Sequence, residues 1–209
     1  MSSAAEQRLD GRQSRTARSR LAICEACLDL VQEGALQPSA DQVAERAGVS
    51  RRSIFNHFAD LAELYDAVVE VGMQRCAPLL EEISEQEPIA ARIERLVRVR
   101  SKFLEATAAF TRALTAQALV GPASDQALRV SKQAVRLQHQ EVERLFQPEL
   151  ALASLSGSER AEALEAMSAA MSPLLWEYLR RSRGCSVPRA SAVMKRTLTS
   201  ILRGAGVDV

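Results

Sequence analysis

Apolar residues recur at intervals of three and four positions along almost the whole chain, which is the spacing of one face of an α-helix. The first such stretch predicts a helix from about Thr16 to Glu33, closed by Gly34 and Pro38. No segment shows the strict alternation of apolar and polar residues that marks a half-buried strand. The pattern therefore predicts an all-α protein.

Polar residues that cap helices mark two short elements after this helix. Ser39 and Gln42 form a capping box at the start of a second helix, which ends at Gly48. Ser50 is predicted to cap a third helix that runs from Arg51 to about His57. Two short helices therefore lie close together, joined by a turn of a few residues.

The rest of the chain keeps the helical spacing. Asp60 is predicted to cap a fourth helix, in which Glu63 completes a second capping box and Pro78 introduces a kink. The later helices are predicted from Ile89, with a break between Ala106 and Ala109, from Asp125 to about Phe146, from Ser158 to about Arg183 with a bend at Pro173, and from Ser186 or Pro188 to Gly204.

The third helix has two unlike sides. Arg52, Phe55 and Asn56 lie three and four residues apart, so they share one side. Ile54 and Phe58 lie on another side and are predicted to pack against the second helix. Such a helix is held to its domain by the apolar side and presents hydrogen-bond donors on the other.

Two short capped helices joined by a tight turn form a helix-turn-helix, whose second helix enters the major groove of DNA. Arginine pairs with guanine and asparagine with adenine, whereas serine and histidine suit phosphate oxygens. Each residue taken alone is also typical of a solvated helix surface, but together they favour DNA binding. The predicted DNA-binding residues are Ser39, Ser50, Arg51, Arg52, Ser53, Phe55, Asn56 and His57.

The stretch SADQVAERAGVSRRSIFNHFADLAELYDAV resembles the DNA-binding module of the TetR family of transcriptional regulators. The match covers about Leu21 to Val69 and rests on Val43-Ala44, Ala47-Gly48-Val49-Ser50, Ile54, Asn56-His57-Phe58 and Leu64. The resemblance implies about nine helices: an N-terminal three-helix helix-turn-helix domain, then a helical bundle for ligand binding and dimerisation. The predicted domains are a DNA-binding domain over residues 15–62 and a ligand-binding and dimerisation domain over 63–209, and the local excess of arginine predicts an Arg-rich flexible arm over residues 1–14.

Two positions depart from the family pattern. Phe55 stands where the family usually has a tyrosine, and Leu61 stands near the place of a lysine, so two phosphate contacts are lost. The arginines between Arg8 and Arg20 could compensate as an arm on the DNA. They are also typical of a solvated chain end, and both interpretations stay open.

The C-terminal part shows no catalytic constellation, but the resemblance implies a small-molecule effector and a homodimer. A mostly apolar pocket in the bundle would suit an apolar ligand, although its candidate residues are also ordinary core residues. The candidate pocket residues are Phe103, Phe110, Leu114, Met167, Met171 and Trp176.

Wide apolar stripes on the last helices predict a four-helix interface around a two-fold axis. The candidate interface residues are Leu164, Leu175, Leu179, Val193, Leu198 and Ile201.

Composition and charge exclude several classes of protein. The net charge of the 209 residues is +1, so overall charge indicates no partner. Cys24 and Cys27 have CxxC spacing, but no second pair or histidine cluster completes a metal site, which favours buried thiols. No Gly-rich phosphate loop or nucleophile elbow is present, which argues against an enzyme. No cofactor and no metal are predicted. The polar N-terminus and the lack of a long apolar run predict a cytoplasmic protein without membrane contact.

Together these features predict a ligand-responsive regulator that binds double-stranded DNA. The favoured form is a repressor that binds a palindromic operator as a homodimer and is released by a small, largely apolar effector. An activator stays open, as does a helical DNA-binding or interaction protein without a ligand-controlled switch. A helical enzyme in which the motif is accidental is the third alternative.

Overall fold

The computed structural model describes the backbone of residues 3–120 and 125–209, and the side chains of residues 14–116 and 128–209. In this part of the chain every regular element is helical, in agreement with the predicted fold class. A 3₁₀ turn over Ala77–Leu79 follows α4, and a π-helical turn over Tyr178–Ser182 follows α8. The α-helices are α1 (Ser3–Gln32), α2 (Ala40–Ala47), α3 (Arg51–His57), α4 (Leu61–Cys76), α5 (Ile89–Val120), α6 (Asp125–Leu152), α7 (Gly157–Ala170), α8 (Pro173–Glu177) and α9 (Val187–Gly204).

The chain divides into two compact units. The first comprises Met1–Arg75 and Ala109–Leu128, and the second comprises Cys76–Ala108 and Arg129–Val209. Helix α5 contributes to both units, and it is continuous where the sequence predicted a break between Ala106 and Ala109. The predicted division after residue 62 falls within α4, which belongs to the first unit except for its last residue, Cys76.

The first unit is built around one apolar cluster from α1 to α4. Ile23, Val43, Ile54 and Leu64 are fully buried in it, one from each of these helices. Each helix is amphipathic, so packing their apolar sides together removes those side chains from water. The small α2 and α3 therefore depend on α1 and α4 for their stability, since short helices are marginal alone.

The second unit buries a larger cluster from α5 to α9. Leu96, Leu145, Met167 and Leu198 are fully buried in it. Two ion pairs join α5 to α6 at the same spacing on both helices: Arg92 with Glu149 and Arg100 with Glu141. Burial lowers the pKa of Arg100, and Glu141 opposes that effect.

Several helix boundaries differ from the prediction. Helix α1 begins at Ser3, so its first turns lie in the segment assigned to a flexible arm. Helix α4 ends at Cys76, before Pro78, rather than kinking there. Helix α6 continues through Pro148 to Leu152. The predicted long helix from Ser158 is interrupted at Met171, because Ser172 caps a new helix with proline in its first turn.

The two cysteines with CxxC spacing both lie on the buried side of α1. Cys24 and Cys27 are 1% and 0% exposed, and both belong to the core of the first unit. Burial raises the pKa of Cys24 to about 11 and that of Cys27 to about 12. Both groups are therefore neutral thiols near neutral pH, as the prediction of buried thiols requires.

This burial predicts that the four thiols of the chain react at two different rates. The nucleophilic form of cysteine is the thiolate, so at pH 8 Cys24 and Cys27 are expected to react with Ellman's reagent only after unfolding. Cys76 and Cys185 are half-buried and should react in the native protein. The released chromophore would show two fast thiols per chain, and a Cys76→Ser/Cys185→Ser variant would show none. Three or more fast thiols would contradict the packing of α1.

Candidate nucleic-acid interface

Local hydrogen bonds define the turn between α2 and α3. The backbone amide of Gln42 donates to the Ser39 hydroxyl (3.3 Å), and the Ser39 amide donates to Oε1 of Gln42 (2.8 Å), so the predicted capping box is present. Gly48 follows α2 with φ of +65°, a left-handed conformation that side chains with a Cβ rarely adopt. These features fix where α2 stops and how the chain turns into α3.

The start of α3 uses two of the predicted DNA-binding residues. The Ser50 hydroxyl accepts a hydrogen bond from the Ser53 amide (3.1 Å), which caps the helix. Ser39 and Ser50 are both exposed, and Ser53 is half-buried. Ser39 and Ser50 therefore shape the helix-turn-helix as caps, and both residues are exposed to solvent.

The apolar side of α3 is docked as the sequence predicts. Ile54 is 0% exposed and Phe58, which caps the end of the helix, is 1% exposed. Both belong to the same cluster as Val43 of α2, with Ala47 packed against it. This docking fixes which side of α3 faces outward.

The opposite side of α3 is open to solvent. Arg52, Phe55 and Asn56 are exposed, Phe55 at 41%, and His57 is half-buried. Within the described part of the chain, the side chains of Arg52 and Asn56 have no hydrogen-bond or ion-pair partner. An arginine and an asparagine one turn apart and without partners are available to bind an external acceptor.

Arg51 is placed differently from its exposed neighbour Arg52. Its guanidinium forms an ion pair with Asp41 of α2 (3.1 Å) and lies 5.8 Å from the centre of the Phe55 ring. Both partners are well exposed, so the pair is weak and would compete with DNA. Arg51 must therefore give up its ion pair with Asp41 before it can contact a guanine, whereas Arg52 has no such pair to break.

Arg20 is a positioning residue that the sequence pattern did not indicate. The prediction grouped it with the arginines of the N-terminal arm, most of which lie outside the residues whose side chains are described. Its guanidinium donates to the His57 carbonyl at the end of α3 and to Glu63 of α4 (3.0 Å), and it lies 4.1 Å from the centre of the Phe58 ring. Arg20 therefore holds the end of α3 and is not free to act in an arm.

Glu63 completes this arrangement from the side of α4. It accepts a hydrogen bond from the Ala59 amide (2.7 Å), and its own amide donates to Asp60 (2.8 Å). The bond from Ala59 and the contact with Arg20 lower the pKa of Glu63. The predicted capping box is thus shifted by one residue, since the Glu63 carboxylate bonds Ala59 rather than Asp60.

The predicted pocket residues are distributed over both units. Phe110 and Leu114 belong to the first unit, where Phe110 packs against the core near Gly72. The other four belong to the second unit, and Phe103 is half-buried there. The remaining three residues are fully buried in the core of the second unit: Met167, Met171 and Trp176. Trp176 Nε1 donates to Glu105 (3.0 Å), so these residues are core residues of the second unit.

The predicted interface residues pack in or against the core of the second unit of the same chain. Leu164 and Leu179 are each 6% exposed and Leu198 is fully buried in the core of the second unit. Leu175, Val193 and Ile201 are half-buried against that core. The periodicity identified the apolar face correctly, but this face is covered by the chain's own helices. The large exposed apolar residues of this region are Leu174 (75%) and Tyr178 (52%).

Two other properties of the described residues bear on function. They contain no cluster of three or more His, Cys, Asp or Glu that could hold a metal ion. Their helices are all too short or too polar to cross a lipid bilayer.

Comparisons with known proteins agree with the helix-turn-helix geometry. A family model for bacterial regulatory proteins of the TetR family matches residues 28–68, which span the end of α1, all of α2 and α3 and the first half of α4. Among curated proteins, no sequence matches the chain.

Solved structures share the fold over nearly the whole chain at low identity. A transcriptional regulator from Rhodococcus sp. Rha1 is 17% identical, with 93% of this chain and 99% of that one covered and a TM-score of 0.67. A TetR-family regulator from Streptomyces coelicolor is also 17% identical, with coverages of 91% and 82% and a TM-score of 0.68. NalD of Pseudomonas aeruginosa, the secondary repressor of the MexAB-OprM multidrug efflux pump, is 21% identical, with coverages of 91% and 97% and a TM-score of 0.61.

The matched segment contains the capped turn, the buried side of α3 and its open side, and the fold of the remaining chain agrees with that of known regulators. The chain therefore carries, at residues 28–68, a segment that matches the TetR family of bacterial regulatory proteins, and nearly the whole chain shares the fold of solved transcriptional regulators. Regulators of that family are DNA-binding proteins and not enzymes.

Proposed function

We propose that the protein is a ligand-responsive repressor that binds a palindromic operator as a homodimer. The observation that carries the proposal is the open side of α3, where Arg52 and Asn56 are exposed and without partners while Ile54 and Phe58 are buried. A short helix docked in this way can place its polar side in a major groove. Two copies related by a two-fold axis would read two half-sites.

The residues divide into two roles on the DNA. Arg52 and Asn56 supply base contacts, since arginine suits guanine and asparagine suits adenine. Ser39, Ser50, Ser53 and His57 lie around them and suit phosphate oxygens, which set register. Phe55 is exposed beside them and offers an apolar surface to a thymine methyl group.

Substitutions on the open side of α3 test this assignment. Arg52→Ala and Asn56→Ala are each expected to weaken binding to the DNA that flanks the protein's gene by about ten- to hundred-fold, because one base contact is worth about 1–3 kcal/mol. Binding is measured by fluorescence anisotropy with a labelled duplex at a fixed salt concentration. Circular dichroism checks that the fold is retained.

Arg181→Ala is the matched control, because it also removes one exposed arginine but lies in the second unit. It should bind the duplex as the parent does. If all three variants bind like the parent, α3 is not the recognition helix. If Arg52→Ala and Arg181→Ala lose affinity equally while Asn56→Ala binds like the parent, the protein binds DNA through net charge alone.

The proposed effector is small and largely apolar. The candidate positions for contacts with it remain Phe103, Phe110, Leu114, Met167, Met171 and Trp176. An effector releases the operator only if it binds the DNA-free state more tightly than the DNA-bound state. A coupling of about 1–3 kcal/mol is typical of such systems. Because this coupling is reciprocal, operator DNA should weaken effector binding by the same factor by which the effector weakens operator binding.

A further inference from the structure

The stretch of α6 from Ser131 to Leu137 is a helix without a buried side. Every residue in it is exposed, which amounts to about two turns of helix. From Gln138 onward the same helix is docked, and Val142 and Leu145 are fully buried in the core of the second unit. Because a helix gains most of its stability from packing an apolar side, this stretch lacks the contacts that hold the rest of α6.

The uncovered stretch lies within a cationic segment of the sequence. From Gln126 to Gln140 the chain has three permanent cations, Arg129, Lys132 and Arg136, and neither aspartate nor glutamate. The three cations are separated by three and four residues, so they share one side of α6. These three residues define the cationic side of α6, which belongs to the second unit.

The polar groups on this side are available to a partner. Arg129, Lys132 and Arg136 are exposed, as are Gln133 and Gln140 next to them. Among the residues whose side chains are described, Lys132, Gln133, Arg136 and Gln140 have no hydrogen-bond or ion-pair partner. Since lysine and arginine side chains donate and do not accept, this side favours a partner that presents oxygen acceptors.

Two large apolar side chains lie beside the cations. Val135 is 61% exposed and Leu137 is 54% exposed, and they directly precede and follow Arg136 in the chain. Successive residues are about 100° apart around a helix, so these two project to either side of the line of cations. Apolar side chains next to exposed arginine are typical of surfaces that contact another protein.

We propose that the cationic side of α6, with Val135 and Leu137, is a docking site for an acidic, apolar helical segment of a partner protein. Carboxylates of that segment would pair with the cations, and its apolar residues would cover Val135 or Leu137. A second copy of this chain in a symmetric contact would instead set like charges against each other, which is repulsive. Phosphates of a nucleic acid would pair with the cations but would leave both apolar side chains in water.

A designed peptide tests the docking site on the full-length protein. The probe is a fluorescein-labelled peptide in which leucine recurs every three and four residues and glutamate fills the other positions, and its control has lysine in place of every glutamate. Fluorescence anisotropy should show that the parent binds the acidic peptide and not the basic one. Lys132→Glu/Arg136→Glu should weaken this binding about tenfold or more, since like charges would then face each other.

Two further variants separate this surface from net charge. Val135→Ser/Leu137→Ser keeps every charge and should weaken binding about fivefold or more, because the leucines of the peptide lose an apolar partner. Arg181→Glu/Arg183→Glu is the matched control, since it reverses two exposed arginines of the second unit outside α6, and it should bind as the parent does. Circular dichroism checks that each variant is folded.

Each of the other outcomes overturns the docking site and leaves the proposed function standing. The site is wrong if the parent does not bind the acidic peptide, or if both charge reversals weaken binding equally. If Lys132→Glu/Arg136→Glu loses affinity for a non-operator DNA duplex and keeps its affinity for the peptide, this surface binds nucleic acid. If that variant changes the oligomeric state of the chain and not its affinity for the peptide, a second copy covers this surface.

Discussion

Replacing Arg92 by alanine is expected to lower the free energy of unfolding of the second unit by about 3–5 kcal/mol, the usual effect of breaking a buried ion pair by removing one partner. Arg92 is 3% exposed, and its guanidinium binds both oxygens of Glu149 and the carbonyl of Leu145. Alanine would leave Glu149 and that carbonyl without their donor. Since the Glu149 side chain is 26% exposed, water would reach it in part, which places the expected loss near the lower end of the range.

Trp176 makes this loss directly measurable. It is the only tryptophan, it is 1% exposed, and it belongs to the second unit. Its fluorescence during urea unfolding therefore follows the unit that contains Arg92. The midpoint should fall in Arg92→Ala at an unchanged slope, which indicates a change in stability rather than in the unfolded state.

Arg98→Ala is the control on the same helix. Arg98 pairs with Glu81 at 3.2 Å, but both side chains are well exposed, at 50% and 40%. Such pairs contribute about 0–1 kcal/mol. The double variant Arg92→Met/Glu149→Leu should recover most of the loss, because a well-packed apolar pair often replaces a buried ion pair at little cost. Equal effects of Arg92→Ala and Arg98→Ala would contradict the burial of the α5–α6 pair.

Helix starts were predictable because their signals are local. Ser39 and Ser50 cap the helices that the sequence assigns to them, and Ser186, one of the two predicted starts of the last helix, caps α9. A cap requires only a hydroxyl and the amide two or three residues later. The start of α8 carries the same kind of signal in Ser172 followed by Pro173. The sequence analysis predicts only a bend at this position, because the apolar spacing continues on both sides of it.

Other boundaries depend on packing that the sequence does not show. Helix α6 continues past Phe146 and through Pro148, although proline removes one helical hydrogen bond. Leu150 is fully buried in the core of the second unit, and this burial favours keeping the last turns helical. Local propensity is a weak prior when tertiary contacts of this kind oppose it.

In the candidate site, features that depend on neighbouring residues were predictable from the sequence, whereas contacts between residues far apart in the chain were not. The two sides of α3 follow from the spacing of Ile54, Phe58 and Arg52 alone. The role of Arg20 does not, because its contacts lie 37 and 43 residues away in the chain. Periodicity also cannot separate a core face from an interface face, so Leu198 was assigned to a dimer contact and is buried within its own unit.

Replacing Phe58 by alanine is expected to destabilise the helix-turn-helix by about 3–5 kcal/mol, the usual cost of removing a buried phenylalanine. Phe58 is 1% exposed in the core shared by α1 to α4, and its ring also supports the guanidinium of Arg20. The end of α3 would lose both contacts at once. Hydrogen exchange measured by mass spectrometry on peptides that span α2 and α3 should therefore become faster, and operator binding should fall with it.

Phe55 supplies the matched control three residues earlier. It is 41% exposed on the open side of α3, so Phe55→Ala removes the same ring without opening a cavity. Its effect on stability should stay within about 0.5 kcal/mol, as for other surface substitutions, and exchange in α2 and α3 should be unchanged. Loss of DNA binding in Phe55→Ala with normal exchange would place that ring at the DNA. Equal exchange in the two variants would mean that α3 is not held by its apolar side, and the assignment of Arg52 and Asn56 to the open side would fail with it.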